Sequence, residues 1–207
     1  MPNWCSNTLR VTTQNPDKLK EFYDAVFVAN EEQPQWPKFT LDKLLPTPQE
    51  LLDVPAFGGK DSEKLNELYG ASDWYQWRVS NWGTKWDVTE AFIESDEPNE
   101  LTVVFDSAWA PPVPWLLNIA PKFPDLHFRL LYEEPGCDFC GYYIIENGEP
   151  VEHDETQYQF FVEGTDEELE FNRDLEKWVH IGTENAVSDD PDYWPESRNP
   201  FHDRIHI

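Results

Sequence analysis

Apolar and polar positions alternate loosely from Asn3 to Thr13, where Trp4, Leu9 and Val11 punctuate a polar run, and this predicts a first strand. Asn15 then reads as a helix N-cap with Pro16 at the first helical position. Leu19, Phe22, Tyr23, Val26 and Phe27 follow at i, i+3, i+4, i+7 and i+8, the spacing of one buried helix face. After a polar, proline-bearing connection, Phe39 to Leu45 reads as a short strand or extended segment. Pro48 opens a short helix, and another helical stretch covers Ser62 to Tyr69 beyond Gly58-Gly59. Strands are expected over Lys85 to Ile93 and Leu101 to Phe105, with turn chemistry over Glu94 to Glu100 between them.

Pro111, Pro112 and Pro114 lead into a helix over Trp115 to Lys122, and strands follow over Leu126 to Glu134 and Phe139 to Glu146. Asn147-Gly148 is a two-residue hairpin signal into a further strand. Thr165 and Glu168 have capping-box spacing. They predict a helix on which Phe171, Leu175, Trp178 and Val179 share a face, with irregular chain from Gly182 to Ile207.

With residues from about 36 to 76 set aside as an insertion, the order is strand, helix, strand, strand, helix, strand. That is an α+β fold with a ferredoxin-like βαββαβ core. The organisation expected is a ferredoxin-like domain over 1–145 and an acidic C-terminal β/α extension over 146–207, packed on or beside it.

Charge changes the picture most. The 207 residues carry 41 acidic and 15 basic side chains, a net −26, which argues against direct binding to nucleic acid or anionic lipid and points to a basic partner or to solubility. From Glu146 onward there are 18 acidic and 4 basic residues, against 23 and 11 before it. The same region holds Tyr158, Phe160, Phe161, Leu169, Phe171, Trp178 and Val179, so it reads as a folded acidic surface. No run is long and apolar enough for a membrane-spanning helix, and the N-terminus lacks signal-peptide character, so a cytoplasmic protein is expected. Three cysteines make no disulfide framework.

Trp74, Trp77, Trp82 and Trp86 fall within thirteen residues and read first as a local aromatic core. The motifs Asn3-Trp4-Cys5-x-Asn7, Leu45-Pro46-Thr47-Pro48, Asn81-Trp82-Gly83-Thr84-Lys85-Trp86, Ala108-Trp109-x-Pro111-Pro112 and Tyr132-x-Glu134 with Gly136 and Gly141 resemble the YubB ferredoxin-like family. The resemblance covers about Met1 to Tyr143. It implies the ferredoxin-like core and a phage or plasmid setting, and it hands over no catalytic residue.

The chemistry of individual residues is sparse. Cys137 and Cys140 have zinc-ligand spacing and His202 and His206 are separated by three residues, but the gap between the pairs is far too long for a zinc finger. No nucleophile or phosphate-loop motif occurs, and no cofactor is implied. The favoured reading is a non-enzymatic acidic binding protein, a nucleic-acid mimic that inhibits a host defence or DNA-processing protein through that protein's basic surface. The candidate surface is Glu152, Asp154, Glu155, Glu163, Asp166, Glu167, Glu168, Glu170, Asp174, Asp189, Asp190 and Asp192. Two alternatives stand beside it: a small-molecule or nucleotide pocket built from Trp82, Lys85, Trp86 and Trp109, and a metal-dependent hydrolase.

Overall fold

The computed structural model describes residues 3–57, 62–172, 175, 177–188, 193 and 195–201. The chain opens with strand β1 (Trp4–Thr12), helix α1 (Pro16–Val26) and the two-residue strands β2 (Phe27–Val28) and β3 (Lys38–Phe39). Three helices follow: α2 (Gln49–Leu52), α3 (Ser62–Tyr69) and α4 (Trp74–Trp82). Then come β4 (Thr89–Glu97), β5 (Glu100–Ala108), α5 (Val113–Ile119) with a 3-10 turn at Ala120–Lys122, β6 (His127–Glu134), β7 (Phe139–Glu146) and β8 (Glu149–Thr156). The last strands are β9 (Gln159–Phe161), β10 (Glu168–Asn172), β11 (Lys177–His180) and β12 (Glu196–Arg198).

The main sheet has the order β4-β5-β1-β6-β7-β8, antiparallel at every pairing. Its alternation is that of a half-buried sheet. From β1 the side chains of Cys5, Asn7, Leu9 and Val11 are buried, and their neighbours Ser6, Thr8, Arg10 and Thr12 lie on the opposite, more open face. Leu101, Val103 and Phe105 from β5 and Phe128, Leu130 and Tyr132 from β6 join the buried set, against Leu19, Phe22 and Val26 of α1 and Trp115, Leu116 and Ile119 of α5. Asn15 caps α1 through a bond from Asp17 N–H, as its sequence predicts. Asn147 and Gly148 both adopt left-handed backbone angles, which a two-residue turn matching the strand twist requires. The sheet continues through β8 and so does not stop at residue 145.

The fold departs from the expected elements at four places. Trp74 to Trp82 is a helix that its β-prone aromatic residues conceal; Asp73 starts it, accepting from Gln76 N–H, and Gly83 ends it in the left-handed conformation. The strand expected from Lys85 begins at Thr89, and its hairpin with β5 turns at Pro98-Asn99, leaving Glu94 to Glu97 inside β4.

The helix expected after Thr165 is absent. The Thr165 hydroxyl accepts from the N–H of Glu167, two residues on, and so closes a turn. Glu168, Leu169 and Glu170 then alternate exposed, buried, exposed, while Leu175, which a helix face would have buried, is exposed in the connection to β11. Beyond Gly182 the chain is less irregular than expected, because β12 pairs with β9 in a second sheet ordered β11-β10-β9-β12. That sheet meets the main one through Phe201 packed on Tyr142 and through Asn199 donating to Glu133. No helix among the described residues is long and apolar enough to cross a membrane.

Gly83 tests the join between α4 and α5. At φ +84°, a Cβ there would stand 2.5 Å from Pro114 Cδ and 2.7 Å from the Pro111 carbonyl, whereas Gly70, at φ +68°, has open space. Gly70→Ala is expected to cost about 1–2 kcal/mol from backbone conformation alone, and Gly83→Ala distinctly more. Urea unfolding of the two variants measures the difference.

Candidate functional site

Trp82 lies at the end of α4 with its ring fully buried, and its indole N–H donates to the Leu45 carbonyl at 2.9 Å. The Arg78 guanidinium sits over its face, 4.5 Å from the ring centre, and donates from Nε to Thr47 Oγ1. Thr47 is held in turn by Asp42, through both its N–H and its hydroxyl. Burial lowers the Arg78 pKa from its ordinary value, while Asp42 and Asp87 oppose that shift. Asp87 accepts from the N–H of Leu41 and of Val88 and from the Thr40 hydroxyl. Trp82 and its neighbours therefore fasten the Leu45–Pro48 segment to the end of α4. Of the four candidate pocket residues, Trp82 is removed from the surface and cannot stack on a ligand.

The other three stay outside. Trp86 and Trp109 are exposed, 36 % and 48 %, and the Lys85 ammonium stands 4.5 Å from the Trp86 ring centre. It also lies 5.8 Å from the ring of Tyr75, so a planar anion stacking on that face of Trp86 would have to displace a cation already there. Sequence reasoning missed three aromatic neighbours. Trp4 lies 6.3 Å from Trp86, and Phe57, 82 % exposed, lies 5.2 Å from Tyr75. Trp4 is paired with Ala108, and the next residue, Trp109, donates its N–H to Asn3 O, which holds both tryptophans on adjoining strand ends. Phe57 and Trp109 have φ of 73° and 71°, a left-handed backbone costing a bulky residue about 1–2 kcal/mol. Bonds to Asp73 Oδ2 from Phe57 N–H, and from Ser107 Oγ to Ala110 O beside Trp109, hold the chain at these two points.

The predicted acidic residues divide. On β8, exposed along its whole length, Glu152 and Asp154 share one face and Glu155 takes the other, as strand alternation demands. Glu152 accepts from the Tyr142 hydroxyl at 2.7 Å and Glu155 from the Tyr132 hydroxyl at 2.9 Å, while Asp154 accepts from Glu155 N–H. Burial first, and the Glu155 carboxylate second, push the Tyr132 pKa far up, so this phenol remains a donor. In the second sheet Asp166 pairs with Arg198, Glu167 lies 2.8 Å from His180 Nδ1, and Glu170 accepts from Gly182 N–H. Glu163 and Glu168 are exposed. Asp174, Asp189, Asp190 and Asp192 lie outside the described residues.

The cysteines face apart. Cys137 accepts from the Asn3 amide at 3.3 Å, whereas buried Cys140 points to the carbonyls of Thr156 and Gln157. His202 and His206 lie outside the described residues, and among the described ones no three His, Cys, Asp or Glu side chains converge on a metal-sized point. Glu134 is buried beside Cys137: its Oε1 accepts from Gly136 N–H, and its Oε2 meets no donor at ordinary hydrogen-bond geometry. On the open sheet face, Ser6, Thr8, Arg10, Phe92, Glu94 and Thr102 line a groove of about 500 Å³, where Arg10 is already paired with Glu100 at 2.7 Å.

The segment from Asn81 through β10 matches the model of the ferredoxin-like domain in Api92-like protein, over residues 81–176. That match, to a little under half of the chain, is a likeness of this segment to the Api92-like ferredoxin-like domain. The family expected from the motifs is supported, but the matched segment begins at Asn81 and runs past the expected limit at Tyr143. The "Uncharacterized protein YubB" of Escherichia coli (strain K12) is 30 % identical over 86 residues, which span 41 % of this chain and 59 % of YubB. The crystal structure of Api92 from Yersinia pseudotuberculosis aligns over 75 % of this chain and 98 % of its own at a TM-score of 0.49 and 12 % identity, a likeness too distant to carry an argument.

Within the Api92-like segment, Cys137 offers a direct chemical readout. The neighbouring Glu134 carboxylate favours the neutral thiol and raises its pKa, and the Asn3 amide works against that shift. Burial pushes Cys140 to about 12 and Cys5 higher still. Native protein is expected to alkylate slowly with iodoacetamide, at Cys137 alone, with a rate rising only above the ordinary thiol range. Glu134→Gln should move the pH–rate curve down; an unchanged curve would separate Glu134 from this thiol.

Proposed function

We propose that this protein is a non-enzymatic acidic binding protein whose carboxylate-bearing surface engages a basic partner. The observation that carries the reading is β8: an outermost strand, exposed at every residue, with four carboxylates in eight positions and two of them fixed by tyrosine hydroxyls. Fixed carboxylates lose less freedom on pairing than mobile ones, which suits them to recognition.

In its finer form the reading is nucleic-acid mimicry, with a phage or plasmid protein occupying the basic groove of a host defence or DNA-processing factor. The magnitudes limit how far β8 alone supports that form. A strand rises roughly 3.3 Å per residue, so β8 carries about one charge per 6.6 Å. One DNA strand carries a charge about every 3.4 Å. Mimicry therefore needs the acidic side chains of the second sheet as well as β8.

The architecture that serves this surface is, in our reading, a βαββαβ core made of β1, α1, β4, β5, α5 and β6. The residues around 36–76 are inserted into it, and 146–207 extend it as an acidic β-rich flank. The strand order β4-β5-β1-β6 supports that assignment. The pocket alternative loses Trp82 to the core, and the hydrolase alternative has no converging ligand set among the described residues.

The test is capture from bacterial lysate on immobilised protein at about 0.1 M and about 1 M salt, where the Debye length falls from about 10 to about 3 Å. Duplex DNA serves as competitor, and the double variant Glu152→Lys, Asp154→Lys as control. The reading expects a basic partner that is released by salt and by DNA and is not retained by the variant. A partner indifferent to all three, or no salt-sensitive partner, contradicts it.

A further inference from the structure

Five aromatic side chains form a chain of ring contacts and neighbouring strand ends across the surface around Lys85. Phe57 touches Tyr75, the Lys85 ammonium bridges Tyr75 and Trp86, Trp86 touches Trp4, and Trp109 stands on the strand end beside Trp4. Trp4, Phe57, Trp86 and Trp109 are all among the exposed large hydrophobic residues. Soluble proteins seldom leave a contiguous apolar stripe of this kind uncovered unless something docks on it. Two of its members, Phe57 and Trp109, are displayed from left-handed backbone positions that bulky residues avoid.

We propose that this stripe is the docking surface for arginine side chains of the basic partner, with guanidinium groups laid on the exposed faces of Trp4 and Trp109. The inference rests on the acidic-binding reading above and names the chemistry recognised. Lys85 shows what the rings attract, since an ammonium at 4.5 Å from the Trp86 centre is a cation held by a π face. Charge chooses among the occupants of an aromatic surface. A chain of net −26 repels phosphate-bearing rings and repels a second copy of itself, and it draws cations toward the stripe. Among cationic side chains the guanidinium is planar and weakly hydrated, so it stacks on indole better than an ammonium does. The stripe borders the sheet end at which β8 finishes, and the register through Thr8, Leu131 and Tyr142 puts Asp154 of β8 on the same face as Trp4, so a single basic partner can meet both the carboxylates and the rings.

The experiment titrates full-length protein with tetra-arginine amide, tetra-lysine amide and AMP, reading affinity by calorimetry and ring contact by tryptophan fluorescence. It is repeated on Trp109→Ala, on Trp4→Ala and on the β8 charge-reversal variant, each checked for an unchanged unfolding midpoint. Tetra-arginine is expected to bind more tightly than tetra-lysine at equal charge. Either tryptophan variant should weaken tetra-arginine about three- to tenfold and tetra-lysine less. If both tryptophan variants bind tetra-arginine as the parent does while charge reversal weakens it, the stripe proposal falls and the acidic-surface reading stands. If neither peptide binds in a salt-sensitive way, both fall. Tighter binding of AMP than of either peptide overturns the cation assignment.

Discussion

The indole N–H of Trp82, donated from a fully buried ring to the partly buried Leu45 carbonyl, is the constraint on which the arrangement of this molecule depends. An indole cannot be buried without a partner for its N–H, and a carbonyl in a turn cannot be buried without a donor. Each satisfies the other here. The bond fixes α4 against the Leu45–Pro48 segment, and Gly83, wedged against Pro111 and Pro114, fixes its end against α5. From that anchored point the chain emerges with Lys85 and Trp86 outside and Asp87 turned back to hold Thr40 and Leu41. The same short segment thus closes the core and presents the surface.

The main sheet was legible in the sequence because its signals are local. Alternation in β1, the Asn15-Pro16 cap, the Asn147-Gly148 turn and the apolar runs of β5 to β7 each dictate their element within a few residues. The helix over Trp74 to Trp82 was not legible. Trp, Tyr and Val have middling helix propensity, and what makes them helical is packing against Thr47 and Leu45, some thirty residues away. The stretch after Thr165 failed for the opposite reason. Threonine followed three residues later by glutamate suits a helix start, but the hydroxyl closes a turn just as well, and the pairing of β10 with β9 and β11 decides between them.

The surface shows the same division. That the C-terminal part would be acidic and folded follows from composition. Which carboxylates are held, as Glu152 and Glu155 are by tyrosine hydroxyls, depends on strand register and is visible only in three dimensions. The aromatic stripe was half legible: Lys85, Trp86 and Trp109 announce themselves in sequence, whereas Trp4, Tyr75 and Phe57 join them only because the start of β1, α4 and the chain before α3 meet at one end of the sheet. A strongly acidic chain that keeps large rings exposed around one lysine combines two features that favour the same class of partner, through long-range attraction and through close contact.

The central claim is that Trp82 couples the segment around Leu45 to the sheet end, and hydrogen exchange on Trp82→Phe tests it most directly. Phenylalanine keeps most of the apolar contact and removes the N–H, leaving the Leu45 carbonyl without a donor at a cost of about 1–3 kcal/mol. The account predicts faster exchange confined to residues 41–53 and 74–87, with the amides of β1, β5 and β6 retaining their protection. Unchanged exchange in those segments, or an equal loss across the whole sheet, would contradict it.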